Sequence, residues 1–134
     1  LDGLQAAILS VKLKYLDKWI EHRNNLAKQY IKLLSENLHI TLPKINESSR
    51  HAFHLFIIMC EERDKLQKFL KQHDIETGIH YPIALPDTRA YSNYNQKIDN
   101  VSNICSRILS LPIGEHLTEE QIEKVCMSIN SFYS

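Results

Sequence analysis

Phe53-His54-Leu55-Phe56-Ile57-Ile58-Met59 is the stretch on which the fold turns. Phe53, Leu55, Ile57 and Met59 alternate with His54, Phe56 and Ile58, which is the two-residue period of a strand. Both alternating sets are mostly apolar, as expected of a strand covered on both faces, so the spacing predicts a central strand. His51 and His54 stand three residues apart, on opposite faces of such a strand, and cannot easily share a metal ion.

Upstream of this stretch the period is helical. Asp2 followed by Gln5 reads as a helix start, with the carboxylate accepting a backbone N–H. Apolar residues then recur at Leu4, Ile8, Val11, Tyr15, Leu16, Trp19, Leu26, Tyr30, Ile31 and Leu34, which keeps one face apolar. Asn37 is a suitable end, so one long helix over residues 1–38 is expected. At 1.5 Å per residue it would run roughly 50 Å, more than a compact domain of this size needs, so part of its stripe should meet something outside this chain. Pro43 and the polar run Asn46-Glu47-Ser48-Ser49-Arg50 form a loop before the strand.

Downstream, Glu61 and Glu62 suit a helix N-terminus, and Leu66, Phe69 and Leu70 form that helix's buried side. It should stop near His73-Asp74, leaving residues 75–80 as a second short strand. Residues 83–99 carry Pro86, Tyr91 and Tyr94 but no period. Loops of this length within a domain are functional or disordered, and the tyrosines favour docking. Val101, Ile104 and Cys105 suggest a short helix, and Ile108-Leu109-Ser110-Leu111 a third strand ended by Pro112. For the last helix, Thr118 and Gln121 make a capping box, Leu117 and Ile122 can staple across it, and Ile122, Val125, Cys126, Ile129 and Phe132 give one apolar face. The product is an α/β fold of α+β character. A long N-terminal helix leads into a small mixed sheet of about three strands covered by helices, with residues 51–134 as the sheet-and-helix core.

The totals restrict the function. A chain of 134 residues is about one domain. Sixteen basic residues balance sixteen acidic ones, so no global field draws nucleic acid or an anionic membrane, and neither partner is expected. No apolar run reaches the roughly 20 residues of a membrane span, and the N-terminus lacks the order of a signal peptide. Three cysteines, Cys60, Cys105 and Cys126, suit reduced thiols and a cytoplasmic location. The stretch richest in chemistry is Thr77-Gly78-Ile79-His80-Tyr81-Pro82. Gly allows unusual backbone shapes, Pro biases Tyr81 toward an extended form, and His80 and Tyr81 can both hydrogen-bond.

Three segments taken together go further: Leu1-Asp2-Gly3-Leu4-Gln5-Ala6-Ala7 with Lys12-Leu13 and Leu16-Asp17; Thr77 through Pro82; and Leu109-Ser110-Leu111-Pro112-Ile113 followed by Leu117-Thr118-Glu119-Glu120-Gln121-Ile122. In that order they resemble the C-terminal part of the DegT/DnrJ/EryC1/StrS family, pyridoxal 5'-phosphate-dependent aminotransferases acting on nucleotide-linked keto-sugars. His54-Leu55-Phe56 and Arg63-Asp64 with Leu66 are similar to the same pattern, and the resemblance covers essentially the whole chain. It implies the small C-terminal domain of a type I aminotransferase, part of an enzyme of amino-sugar, polysaccharide or lipopolysaccharide biosynthesis. The family's cofactor-holding lysine, its acidic partner for the pyridine nitrogen and most phosphate contacts belong to a larger N-terminal domain whose motifs are not found here. The resemblance therefore implies a piece with no catalytic residue of its own. Pyridoxal phosphate would be bound in the intact enzyme and not by this chain alone. The implied partners are the large domain, a nucleotide-sugar substrate and the second subunit of a homodimer.

His80 and Tyr81 are placed by the same resemblance at the mouth of the active site, as substrate-binding residues. Where the family often has a second Pro and a His shortly after Pro82, this chain has Ala84 and Pro86, which weakens any contact inferred from that His. Asp74 stands where Gly is common, and Asp tolerates the left-handed conformation that ends a helix. A dehydratase of the same family, with His in place of the lysine, and a non-catalytic binding or regulatory module both stay open at this point.

Overall fold

The computed structural model describes residues 2–46, 48–94 and 98–134, so Leu1, Glu47 and residues 95–97 of the stretches read above, and the side chains of Ser92, Tyr94 and Asp99, lie outside it. The strand predicted around Phe56 is present as the middle of three, in the order β1 (Ile40–Thr41), β2 (Phe56–Cys60) and β3 (Ile108–Leu111). Ile58 of β2 faces Leu109 of β3, and Ile40 of β1 faces Cys60. Phe56, Ile58 and Cys60 are fully buried while Ile57 and Met59 are half-buried, the pattern of a strand covered on both sides.

Three expectations about the sheet are corrected. Both pairings are antiparallel, not mixed. The central strand starts at Phe56, because Phe53 has a positive φ of 44° that an extended strand cannot hold. Residues 75–80 do not form a full strand and contribute one bridge, Gly78 to Ser110, on the free side of β3. The remaining strand, β1, is only two residues long and too short to show a period.

The single long N-terminal helix is corrected to two, α1 (Gly3–Leu13) and α2 (Leu16–Leu34). At the join the Tyr15 N–H donates to Lys12 O at 3.0 Å, and Lys14 N–H reaches Val11 O at 3.3 Å. These bonds span three residues instead of four, which tightens the turn and ends α1 without Gly or Pro. No residue of α1 is buried, so no packing holds the two helices to one axis.

The core sits where α2, the sheet, α3 (Arg63–Gln72) and α5 (Glu119–Phe132) meet. Leu26, Ala27, Tyr30 and Leu34 of α2 face Ile122, Val125, Cys126 and Ile129 of α5, with Leu66 and Leu70 closing the side. The Tyr30 ring stacks on Phe56 at 4.7 Å, and its hydroxyl donates to Pro112 O at 2.8 Å, giving a buried phenol the partner it needs. The end of α3 confirms the reading of Asp74: its φ is 60°, Ile75 N–H donates to Leu70 O and Asp74 N–H to Lys71 O. Those two bonds close a helix with a left-handed residue just past its cap, here Asp in place of Gly. The Thr118–Gln121 capping box is formed in both directions, at 2.9 and 3.3 Å. The described part of the segment expected to be irregular, residues 83–94, is less so, folding into 3-10 turns at Leu85–Asp87 and Arg89–Tyr94, and α4 (Asp99–Arg107) lies beyond it. Among the described residues no helix is long and apolar enough to cross a membrane.

Candidate functional site

The site is built from the Gly78–Ser110 bridge outward. Gly78 N–H donates to Ser110 O at 3.0 Å and Ser110 N–H donates to Gly78 O at 2.7 Å, so the two residues lie directly opposite one another. His80, two residues on, folds back over Gly78, and its Nδ1 lies 2.9 Å from the Ser110 hydroxyl. A Cβ at position 78 would fall 2.5 Å from His80 Cε1. The glycine therefore acts through the space it leaves for the ring; no described glycine has a positive φ, and the unusual backbone shape expected of Gly78 is absent.

Tyr81 follows across a cis peptide bond, with its ring edge-on to His80 at 5.8 Å and 73% exposed. Ile83, Leu85 and Tyr91 extend an exposed apolar rim along the next turns. The Ser102 hydroxyl bonds Asp87, tying this rim to α4. Gln67 of α3 reaches Thr77 at 3.4 Å from the other side. The two residues singled out in the sequence are thus brought together, His80 pinned and Tyr81 presented. Such a pair can orient a polar ligand through an imidazole and a phenol beside apolar surface.

A residue that sequence reading missed is Arg23. Its side chain is 20% exposed; Nη1 donates to Phe53 O at 3.3 Å and Ile113 O at 3.2 Å, and Nη2 pairs with Glu115 at 2.8 Å. One guanidinium thereby fixes the loops entering β2 and leaving β3, a use of its planar set of donors that a lysine could not copy. The Glu115 carboxylate is held below its ordinary range, first by its own backbone N–H and then by Arg23. Nothing in the helical pattern marks Arg23, since its targets are backbone carbonyls far along the chain.

Cys60 and Cys126 are buried, and burial pushes their thiols up to about 11 and about 12, away from the reactive thiolate form. His51 Nδ1 accepts from Phe53 N–H at 2.9 Å, which ties up the ring expected to be independent of His54. Among the described residues no group of three or more His, Cys, Asp or Glu could hold a metal ion. Pyridoxal phosphate needs an amine held in a sheltered pocket. Every lysine among the described residues is exposed, so the residues present do not fit covalent attachment of that group.

Comparison with known proteins bears on the fold and the family. The model of the DegT/DnrJ/EryC1/StrS aminotransferase family matches residues 1–130. The dTDP-3-amino-3,6-dideoxy-alpha-D-galactopyranose transaminase of Aneurinibacillus thermoaerophilus is 38% identical over 133 residues, covering 98% of this chain and 36% of its own length. The erythromycin biosynthesis sensory transduction protein EryC1 of Saccharopolyspora erythraea is 37% identical, covering 98% of this chain and 37% of its own. Among solved structures, S. venezuelae DesV in complex with a ketimine intermediate superposes with a TM-score of 0.92 at 32% identity, covering 98% of this chain and 36% of that one. A Brucella abortus aminotransferase of the family gives 0.92 at 32% identity, covering all of this chain and again 36% of the other. The chain thus spans about a third of the length of the relatives it matches. With 130 of its 134 residues matched, the chain belongs to the DegT/DnrJ/EryC1/StrS aminotransferase family.

Proposed function

We propose that this chain is the C-terminal, substrate-side domain of a cytoplasmic, pyridoxal-phosphate-dependent aminotransferase that places an amino group on a nucleotide-linked keto-sugar, in amino-sugar or surface-polysaccharide biosynthesis. The observation that carries the reading is a match across nearly the whole chain to transaminases nearly three times as long, combined with the exposure of every described lysine. The reactive amine and the cofactor belong, on this reading, to the remaining two thirds of such a polypeptide. His80 and Tyr81 supply orientation: the imidazole and phenol hydrogen-bond the sugar or its diphosphate, and the rim of Ile83, Leu85 and Tyr91 excludes water beside them. The exposed apolar side of α1, with Leu4, Ile8, Val11 and Leu13, is the surface that the large domain and the second subunit of a homodimer would cover.

Borohydride reduction after incubation with pyridoxal phosphate tests the division of labour. The 134-residue chain should give no single lysine labelled to stoichiometry on peptide mapping. One such lysine would place cofactor attachment inside this chain and remove the basis of the reading.

A further inference from the structure

We propose that Ser110 is a positioning residue for His80: it holds the imidazole as the neutral tautomer that carries its hydrogen on Nε2, and so presents a donor to an acceptor oxygen of the bound nucleotide-sugar. The ligand half of this statement rests on the substrate-side reading above. The half concerning the ring rests on geometry alone.

Ser110 lies in β3, is 4% exposed, and is the one buried polar residue of the described core. A buried hydroxyl needs somewhere to send its hydrogen. Among the described residues the Ser110 hydroxyl has a single partner, His80 Nδ1 at 2.9 Å. If Nδ1 carried the hydrogen and donated it to Oγ, the hydroxyl hydrogen would be left in the core without an acceptor. The arrangement that satisfies both groups has Oγ donating to a bare Nδ1, which leaves the hydrogen on Nε2. Nε2 makes no hydrogen bond among the described residues, and His80 as a whole is exposed, so this donor is available to a ligand.

The backbone makes the contact obligatory. Because Gly78 and Ser110 exchange both their hydrogen bonds, their side chains emerge on the same face of the ladder. The missing Cβ of Gly78 leaves a slot directly over Ser110, and the His80 ring occupies it, with Cε1 only 2.5 Å from where that Cβ would be. Glycine, serine and histidine therefore form one unit: the first makes room, the second donates, and the third is aimed. Neutral donors with a fixed direction suit an uncharged sugar oxygen or a phosphate oxygen equally. A ring free to exchange tautomers would present a lone pair part of the time, which repels a phosphate oxygen and leaves an accepting sugar oxygen without its donor.

The test uses the 134-residue chain labelled with 15N at histidine, with long-range 1H–15N spectra recorded at about pH 8, above the ordinary imidazole pKa of about 6.5. His80 should show a pyridine-like Nδ1 and a pyrrole-like Nε2 at their full separation. Ser110→Ala should shrink that separation as the two tautomers exchange, and Ser110→Thr, which keeps the hydroxyl, should restore it. Gly78→Ala, which expels the ring from its slot, should shrink it as Ser110→Ala does and serves if the serine variant fails to fold. A wild-type ring with its hydrogen on Nδ1, or already averaged, overturns the proposal. In the aminotransferase carrying this chain, Ser110→Ala should raise the KM for nucleotide-sugar about fivefold to tenfold, the scale of one hydrogen bond, with kcat changed less. An intact lock whose loss leaves KM unchanged overturns the ligand half; the substrate-side reading is judged separately by His80→Ala, and the ring assignment by the spectra alone.

Discussion

Helices α1 and α5 are of similar length, 11 and 14 residues, and each opens on a side-chain cap, Asp2 in one and Thr118 in the other. Yet α5 buries Ile122, Val125, Cys126 and Ile129, whereas α1 buries nothing and leaves Leu4 and Leu13 about two-thirds exposed, at 70% and 68%. The same apolar periodicity thus serves two purposes. In α5 it finishes a core within the chain, against α2 and α3. In α1 it stops at an open groove lined by Leu9, Leu13, Leu16 and Trp19, a surface that matches the need for a partner.

The contrast can be broken by mutation. Phe56→Ala, which empties the fully buried first position of β2 beneath the Tyr30 ring, should cost about 3–5 kcal/mol of unfolding free energy in urea titrations. A loss within the scatter of surface variants would mean that the core is not where Phe56 sits.

Alkaline pH attacks the same covered region. The thiols of Cys60 and Cys126 rise by burial from an ordinary 9.0 to about 11 and about 12, and the Tyr30 phenol is also raised by burial. The folded state therefore holds protons that the unfolded state releases. This contribution is complete below pH 9.0 and is lost as pH climbs through about 11 to about 12. Denaturation midpoints should fall over that window, and replacing both cysteines by Ala should flatten the fall there even while lowering stability at neutral pH. An unchanged slope would remove the thiols as its source.

Smaller effects sharpen the comparison. Thr118→Ala removes half of the capping box and should cost about 1 kcal/mol, read from the same titrations. Leu9→Ser in α1 should change the stability of this chain by less than about 0.5 kcal/mol, because Leu9 is 52% exposed. A penalty as large as that of Phe56→Ala would show that α1 is already covered, for example by a second copy, and concentration-dependent sedimentation would reveal that copy.

Much of this was legible in the sequence, for local reasons. The two-sided apolar character of β2, the Thr118–Gln121 box and the left-handed tolerance of Asp74 are encoded within a few residues, and each appears as read. The break at Lys14–Tyr15 was not, because it follows from a tightened turn with no Gly or Pro, in a segment that no packing straightens. Strand β1 was too short to show a period. At the site, His80 and Tyr81 stood out by chemistry, but their setting depends on Ser110, thirty residues away, and on a glycine used for its missing Cβ instead of its backbone freedom. Arg23 was invisible for the same reason: it binds carbonyls 30 and 90 residues distant, and carbonyls leave no trace in a side-chain pattern.

The central proposal is that this chain orients the nucleotide-sugar and leaves the amine chemistry to the rest of the polypeptide. His80→Ala in the aminotransferase that carries it tests this most directly, with nucleotide-sugar affinity by calorimetry and bound pyridoxal phosphate by absorbance measured on the same folded sample. The account predicts an affinity lower by about tenfold, roughly 1.4 kcal/mol, with cofactor content unchanged. Equal loss of both, or an affinity that does not move, would contradict it.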